Sequence, residues 1–172
     1  LNGHPEEGKR IAELAIELAT LVAGKARMTS SIRYDVRTPG ANLSVSGGMG
    51  PANARIFNPM LADLEGGRVT GGELDTMRWN IDIKANVASG EFLALYSDFS
   101  VELQDKVTRD RNLEDRLASF IGNNFKINTA NPSHKDSRAK AAPLAQRRAP
   151  DIPLIKFLWV TLRSGIIKTI GL

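Results

Sequence analysis

The chain has 172 residues, 42% of them hydrophobic and 24% charged, a balance that fits one folded domain long enough to bury a real core. It contains no cysteine, which excludes disulfides, thiolate metal sites and cysteine nucleophiles and is compatible with any redox compartment. The net charge of +4 is concentrated: between His134 and Arg148, the cations Lys135, Arg138, Lys140, Arg147 and Arg148 face Asp136 alone, so the remainder is neutral overall.

The start at Leu1, with neither Met nor a signal peptide, leads us to expect a piece excised from something longer. Residues 1–10 are polar, a frayed or late-ordering start. Residues 11–24, IAELAIELATLVAG, fit two patterns. As a helix, Ile11, Leu14, Ala15, Leu18, Leu21 and Val22 share a face, and Ala, Leu and Glu favour helix. As a strand, Leu14, Ile16, Leu18 and Val22 alternate with Glu13, Ala15, Glu17 and Ala19. The same even phase continues past Gly24 in Met28, Ile32, Tyr34 and Val36. That continuity favours two strands of one sheet.

Thr38-Pro39-Gly40 signals a turn. Leu43, Val45 and Met49 alternate with Ser44 and Ser46 in a returning strand, which Gly47-Gly48 weakens or bulges. Asn58-Pro59 fits a helix N-cap followed by proline at the first helical position. Met60, Leu61 and Leu64 give that short helix, near 58–65, an apolar side, and Gly66-Gly67 ends it.

Leu74 to Gln104 reads as one long β-hairpin. In the first arm Met77, Trp79, Ile81, Ile83, Ala85 and Val87 fall on one face; Arg78, Asn80, Asp82, Lys84 and Asn86 fall on the other. Ser89-Gly90 interrupts the pattern. The second arm places Leu93, Leu95, Phe99, Val101 and Leu103 on one face, with Ala94, Tyr96, Asp98, Ser100, Glu102 and Gln104 opposite. Such arms exceed the usual strand of about 5–6 residues. Their apolar face needs a cover: a later helix, or acyl chains.

A helix is expected over 112–121, with Asn112 as cap, Leu113, Leu117, Phe120 and Ile121 on one side and Gly122 at the end. Phe125 and Ile127 form a short last strand that Asn131-Pro132 stops. Residues 133–150 are basic and aperiodic, the composition of an exposed loop or linker. From 151 to 172 the chain is apolar. Ile155, Leu158, Trp159, Leu162, Ile166 and Ile170 follow helical spacing, interrupted by Lys156, Arg163 and Lys168. Three cations argue against a spanning helix, which wants about 20 mostly uncharged residues. They suit a helix lying on the sheet or in a membrane interface.

No GxSxG, P-loop, Rossmann or HExxH spacing is present, and the two histidines, His4 and His134, are far apart. Asp75, Asp82, Glu91, Asp98 and Glu102 of the hairpin could do acid–base work as pairs, but the alternation sets them on a solvated face. The basic loop lacks interleaved aromatics, so it does not read as a nucleic-acid site. Contact with anionic lipid head groups suits it better, because a cation-studded apolar helix follows directly.

From about Leu43 onward the order of features resembles the C-terminal region of the AsmA-like family. These are bacterial envelope proteins related to the bridge-like lipid-transfer superfamily. The residues that carry the resemblance are Asn58-Pro59-Met60-Leu61, Gly71-Gly72-Glu73-Leu74-Asp75, Gly90, and Leu95-Tyr96-Ser97-Asp98-Phe99-Ser100-Val101-Glu102-Leu103. The helix at 112–121, Asn123-Asn124-Phe125-Lys126-Ile127, Asn131-Pro132, Phe157-Leu158-Trp159 and Ser164-Gly165-Ile166 complete it. The resemblance implies a long, strongly curved antiparallel sheet with an apolar inner surface. It implies a parent anchored in the inner membrane and facing the periplasm, with a role in phospholipid transport or outer-membrane homeostasis, and no catalytic residues or cofactors.

The expected architecture is α+β and β-rich: a long twisted antiparallel sheet over 1–132 with two or three helices on or capping one face, a basic loop over 133–150, and a C-terminal helix of the same domain. The expected function is non-enzymatic. Phospholipid acyl chains would lie against Met77, Trp79, Ile81, Ile83, Val87, Leu93, Leu95, Phe99, Val101 and Leu103. Ile155, Leu158, Trp159, Leu162, Ile166 and Ile170 would face sheet or membrane, with a membrane surface possible through 135–172. The alternative is a structural or protein-interaction domain with a closed core and no lipid.

Overall fold

Among the described residues seven antiparallel strands hydrogen-bond into one sheet, in the spatial order Glu13–Val22 (β1), Ala26–Asp35 (β2), Leu43–Met49 (β3), Gly67–Lys84 (β5), Val87–Leu103 (β6) and Ala142–Arg147 (β7), with the short Ala52–Asn53 (β4) on β5. The computed structural model describes residues 13–37, 42–61, 67–103, 127–133 and 136–171. The expected turn at Thr38-Pro39-Gly40, the glycine at 66, the helix over 112–121 and the Phe125 end of the last strand lie outside these residues.

β1 (Glu13–Val22) and β2 (Ala26–Asp35) pair along their whole length. The strand reading of residues 13–22 therefore holds over the helical one: neighbouring chain overrides a weak local propensity. Ala23 and Gly24, both at positive φ (47° and 70°), close the connection. β3 (Leu43–Met49) pairs with β2 on one side and β5 on the other. Its Gly47 is no bulge. Gly47 sits opposite Trp79, and a Cβ there would lie 2.4 Å from the indole Cζ2. The absent side chain is the seat of the Trp79 ring.

β4 (Ala52–Asn53) leads into a 3₁₀ turn over Ala54–Phe57 and the one-turn helix α1 (Asn58–Leu61). The cap is Asn53, not Asn58: its side chain accepts from the Arg55 amide. Asn58 instead grips the sheet. Its Nδ2 donates to the Val69 carbonyl at 2.9 Å, and its Oδ1 accepts from the Val69 amide at 2.8 Å.

β5 (Gly67–Lys84) and β6 (Val87–Leu103) are the long hairpin. Its turn is Ala85-Asn86, not Ser89-Gly90, with both residues at positive φ (47° and 63°), the two-residue geometry that matches strand twist. Gly90 lies inside β6 at φ 151°, where a Cβ would fall 1.9 Å from the Asn80 carbonyl oxygen. A two-residue turn pairs odd positions of β5 with even positions of β6: Trp79 meets Phe92 and Met77 meets Ala94. The buried phase of β6 is thus Ala88, Phe92, Ala94 and Tyr96. Leu93 and Leu95, opposite Arg78 and Thr76, are half-buried on the other face. The expected second-arm face is corrected accordingly.

Three register shifts, between Val69 and Gly71, Gly71 and Glu73, and Leu74 and Thr76, bend the far end of the hairpin. Asp98, at φ 51°, sits within the second of them. Beyond the shifts the pairing parity reverses, so Val101 lies opposite the buried Val69.

The basic segment is no linker throughout. Residues 142–147 form β7 (Ala142–Arg147), paired with β6 from Val87 to Phe92. Ala142 and Leu144 point into the core, and Pro143 is tolerated because β7 is an edge strand. Asn131 ties this segment down. Buried, it donates through Nδ2 to the carbonyls of Ala94 (2.7 Å) and Lys140 (2.9 Å), and its Oδ1 accepts from the Lys140 amide (2.8 Å).

The C-terminal helix α2 (Leu154–Ile170) packs on β6 and β7. Its buried line is Phe157, Leu158, Thr161, Gly165 and Thr169, rotated from the expected apolar arc. The reason is distance: a Cβ at Gly165 would lie 2.6 Å from the Phe92 Cβ. At Gly165 no side chain fits between helix and sheet. The two buried hydroxyls are satisfied within the helix, Thr161 donating to the Phe157 carbonyl and Thr169 to the Gly165 carbonyl.

Candidate functional site

Strand register lines up the apolar side chains in rows that cross the sheet, since residues directly opposite share a face. One row runs Ile16, Ile32, Val45, Ile81, Gly90, Leu144. The next runs Leu18, Ser30, Gly47, Trp79, Phe92, Ala142, and another Leu14, Tyr34, Leu43, Ile83, Ala88. A fourth runs Thr20, Met28, Met49, Met77, Ala94. One apolar face therefore extends from β1 into β6, and two of its rows reach β7.

Coverage of that face is graded. At the β6–β7 end α2 lies on it at van der Waals distance. At β5, Ile81 and Ile83 are 0% exposed, and Met77 and Trp79 are buried. Met28, Ile32 and Tyr34 of β2 are half-buried. On β1, Leu14, Ile16 and Leu18 are 51%, 42% and 50% exposed. The face is filled in the middle and open at the β1 end. Sequence reasoning placed the ligand surface on both arms of the β5–β6 hairpin; the unfilled part lies on β1, three strands from β5. The alternation of Leu14, Ile16 and Leu18 was the available signal, but alternation does not report which rows are covered.

Of the other expected contact residues, Val87 is half-buried and pairs with Lys84 on the opposite face. Phe99 packs partly buried against the core, its ring edge-on to Tyr96 at 5.6 Å. Leu103 pairs with Gly67 at the far end. In α2, Leu158 is buried, Leu162, Ile166 and Ile170 pack against the core, and Trp159 is half-buried. Ile155 is 77% exposed, with Lys156 and Val160 beside it on the outward side.

Two carboxylates of the hairpin accept hydrogen bonds from neighbouring strands. Ser44 donates to Asp82 at 2.6 Å and Asn53 to Glu73 at 2.7 Å. Tyr96 is not on the wet face. It is buried, its hydroxyl within reach of the Thr169 carbonyl (3.1 Å) and the Asn128 carbonyl (3.2 Å), and burial pushes its pKa up to about 12. Trp79 Nε1 is buried with no hydrogen-bond partner among the described residues. No group of three or more His, Cys, Asp or Glu side chains gathers as a metal site among the described residues.

Two cations of the basic segment have partners within the fold: Arg148 donates to the Ile152 carbonyl at 2.7 Å, and Lys140 lies 3.7 Å from Asp136. Lys168 of α2 donates to the Pro143 carbonyl at 2.8 Å. Lys140 and Lys168 border a shallow pocket of about 250 Å³, lined also by Asn128, Asn131 and Ser133. The last turn of α2 lines it too, and the negative end of a helix dipole disfavours an anion there. Among the described residues no helix is long and apolar enough to cross a membrane. No protein-family profile, curated protein or solved structure matches the chain.

Proposed function

We propose that the chain is a non-enzymatic, AsmA-like segment on the periplasmic side of a bacterial envelope. In this reading its parent is anchored in the inner membrane, and the segment contributes an apolar sheet surface to phospholipid transport or outer-membrane homeostasis. The observation that carries the reading is the open end of the apolar face, where Leu14, Ile16 and Leu18 stand uncovered in continuity with a filled core. An acyl chain laid across these rows leaves water at about 0.8 kcal/mol per buried CH₂, while its head group stays solvated. The mechanism is passive: the face shelters chains, and α2 closes its other end. Ile155 and Val160, beside Lys156, offer a small interfacial contact with a membrane surface.

The burial of Met77, Trp79, Ile81 and Ile83 favours a second reading, a structural or protein-interaction domain whose core takes no lipid. Native mass spectrometry of the purified protein separates the two. Phospholipid adducts that disappear in Ile16→Lys support the first. A bare polypeptide mass, with no lipid recovered on solvent extraction, leaves the second.

A further inference from the structure

We propose that the lipid sheltered on the apolar face is ester-linked, and that one ester carbonyl accepts a hydrogen bond from the Trp79 indole. This rests on the lipid-sheltering reading and gives that ligand a chemical class and a direction.

Trp79 is 7% exposed, yet its Nε1 has no hydrogen-bond partner among the described residues. Buried indole N–H groups are normally paired. The ring leans from β5 across β3. A Cβ at Gly47 would lie 2.4 Å from its Cζ2 and 2.6 Å from its Cε2, the carbon bonded to Nε1. The edge that carries the N–H therefore lies over Gly47. In the same row, Ser30 is one strand farther toward the open end and Leu18 two. Strands lie about 4.8 Å apart, which puts the half-buried Ser30 about 5 Å from Gly47 and the uncovered Leu18 about 10 Å. A hydrocarbon chain over these residues leaves the N–H unpaired. An ester carbonyl, which follows the chain directly, pairs it.

Polarity along the face sets the direction. In the inward phase of β1 and β2, serine and threonine occur only at Ser30 and Thr20, in the Leu18 row and the next. Ser30 Oγ donates to the Ser46 carbonyl at 3.0 Å, and Thr20 is exposed. In the other direction come Ile16, Ile32 and Leu14; Tyr34, in the Leu14 row, has a partner of its own. A chain laid along β1 and β2 has its ester end at Ser30 and its methyl end toward Leu14. The head group leaves into water past Thr20.

The test compares a short-chain diester phosphatidylcholine with its diether analogue, both below their micelle concentrations, on the unmodified chain. Calorimetry should show the diester bound about tenfold more tightly, the effect of one hydrogen bond to an otherwise unpaired donor. The chain has two tryptophans, so nitrogen-15 labelling gives two indole signals, which Trp159→Phe assigns. The Trp79 indole proton should move downfield, saturably, with the diester and not with the diether. Equal affinity for the two lipids, or a Trp79 signal that stays still while the diester binds, overturns this inference and leaves the sheltering surface standing. Binding of neither lipid refutes the sheltering surface, and this inference with it.

Discussion

Gly165→Ala asks whether α2 is held against the sheet, and the sign of its effect is the answer. In an exposed helix interior this change is stabilising by about 1 kcal/mol, because alanine is the better helix former. Here the new Cβ would lie 2.6 Å from the Phe92 Cβ, 2.8 Å from its Cγ and 2.9 Å from the Leu144 Cδ2. Carbon atoms prefer about 3.5–4.0 Å, so the helix must retreat by roughly 1 Å. The Phe92 atoms sit next to the backbone and cannot swing aside. Overpacking of this kind costs about 1–3 kcal/mol. Subtracting the propensity gain leaves a net loss of about 1 kcal/mol. Urea unfolding followed by circular dichroism should show a lowered midpoint with an unchanged slope. Ile155→Ala, at a position 77% exposed, should stay within about 0.5 kcal/mol of the parent. A stabilised Gly165→Ala protein would refute the packing of α2 on β6 and β7.

Three other outcomes follow from local geometry. Ala85→Asn should stabilise the hairpin by about 0.5–1 kcal/mol in chemical denaturation, since Ala85 sits at φ 47°, a region asparagine tolerates better. Asn131→Ala should cost about 3 kcal/mol, because it removes three side-chain hydrogen bonds from a buried site; a cost under about 1 kcal/mol would contradict the role given to it. The Tyr96 pKa, raised to about 12, makes stability pH-dependent at the alkaline end. The neutral phenol is the form the fold prefers, so its contribution is complete below about pH 10. It is lost as pH rises through the folded value near 12, on the order of 2 kcal/mol. The alkaline fall in melting temperature should shrink in Tyr96→Phe.

Alternation made β5 legible, because Met77, Trp79, Ile81 and Ile83 are separated by polar residues and all four are buried. In β6 the apolar residues occupy both parities: Phe92, Leu93, Ala94, Leu95 and Tyr96 are consecutive. The inward set is then fixed by the turn, and Ala85-Asn86 carries no glycine to announce it. β7 was hidden in basic composition; with only Ala142 and Leu144 buried, it is a strand because β6 offers it an edge. For α2 the apolar arc was visible, yet the buried line runs from Phe157 and Leu158 through Thr161, Gly165 and Thr169. Four-residue spacing of small residues was the signal, and hydrophobicity pointed elsewhere. The open end of the face was legible as alternation on β1 but not as a surface, since exposure depends on where α2 and the inner strands lie.

The absence of cysteine permits a direct test of the lipid-sheltering surface. Leu18→Cys, labelled with an environment-sensitive fluorophore, reports from the open end of the apolar face, and Glu17→Cys reports from the opposite face. With short-chain phosphatidylcholine below its micelle concentration, a saturable blue shift at position 18 and none at position 17 is the predicted result. No shift at position 18, or equal shifts at both, would contradict the account.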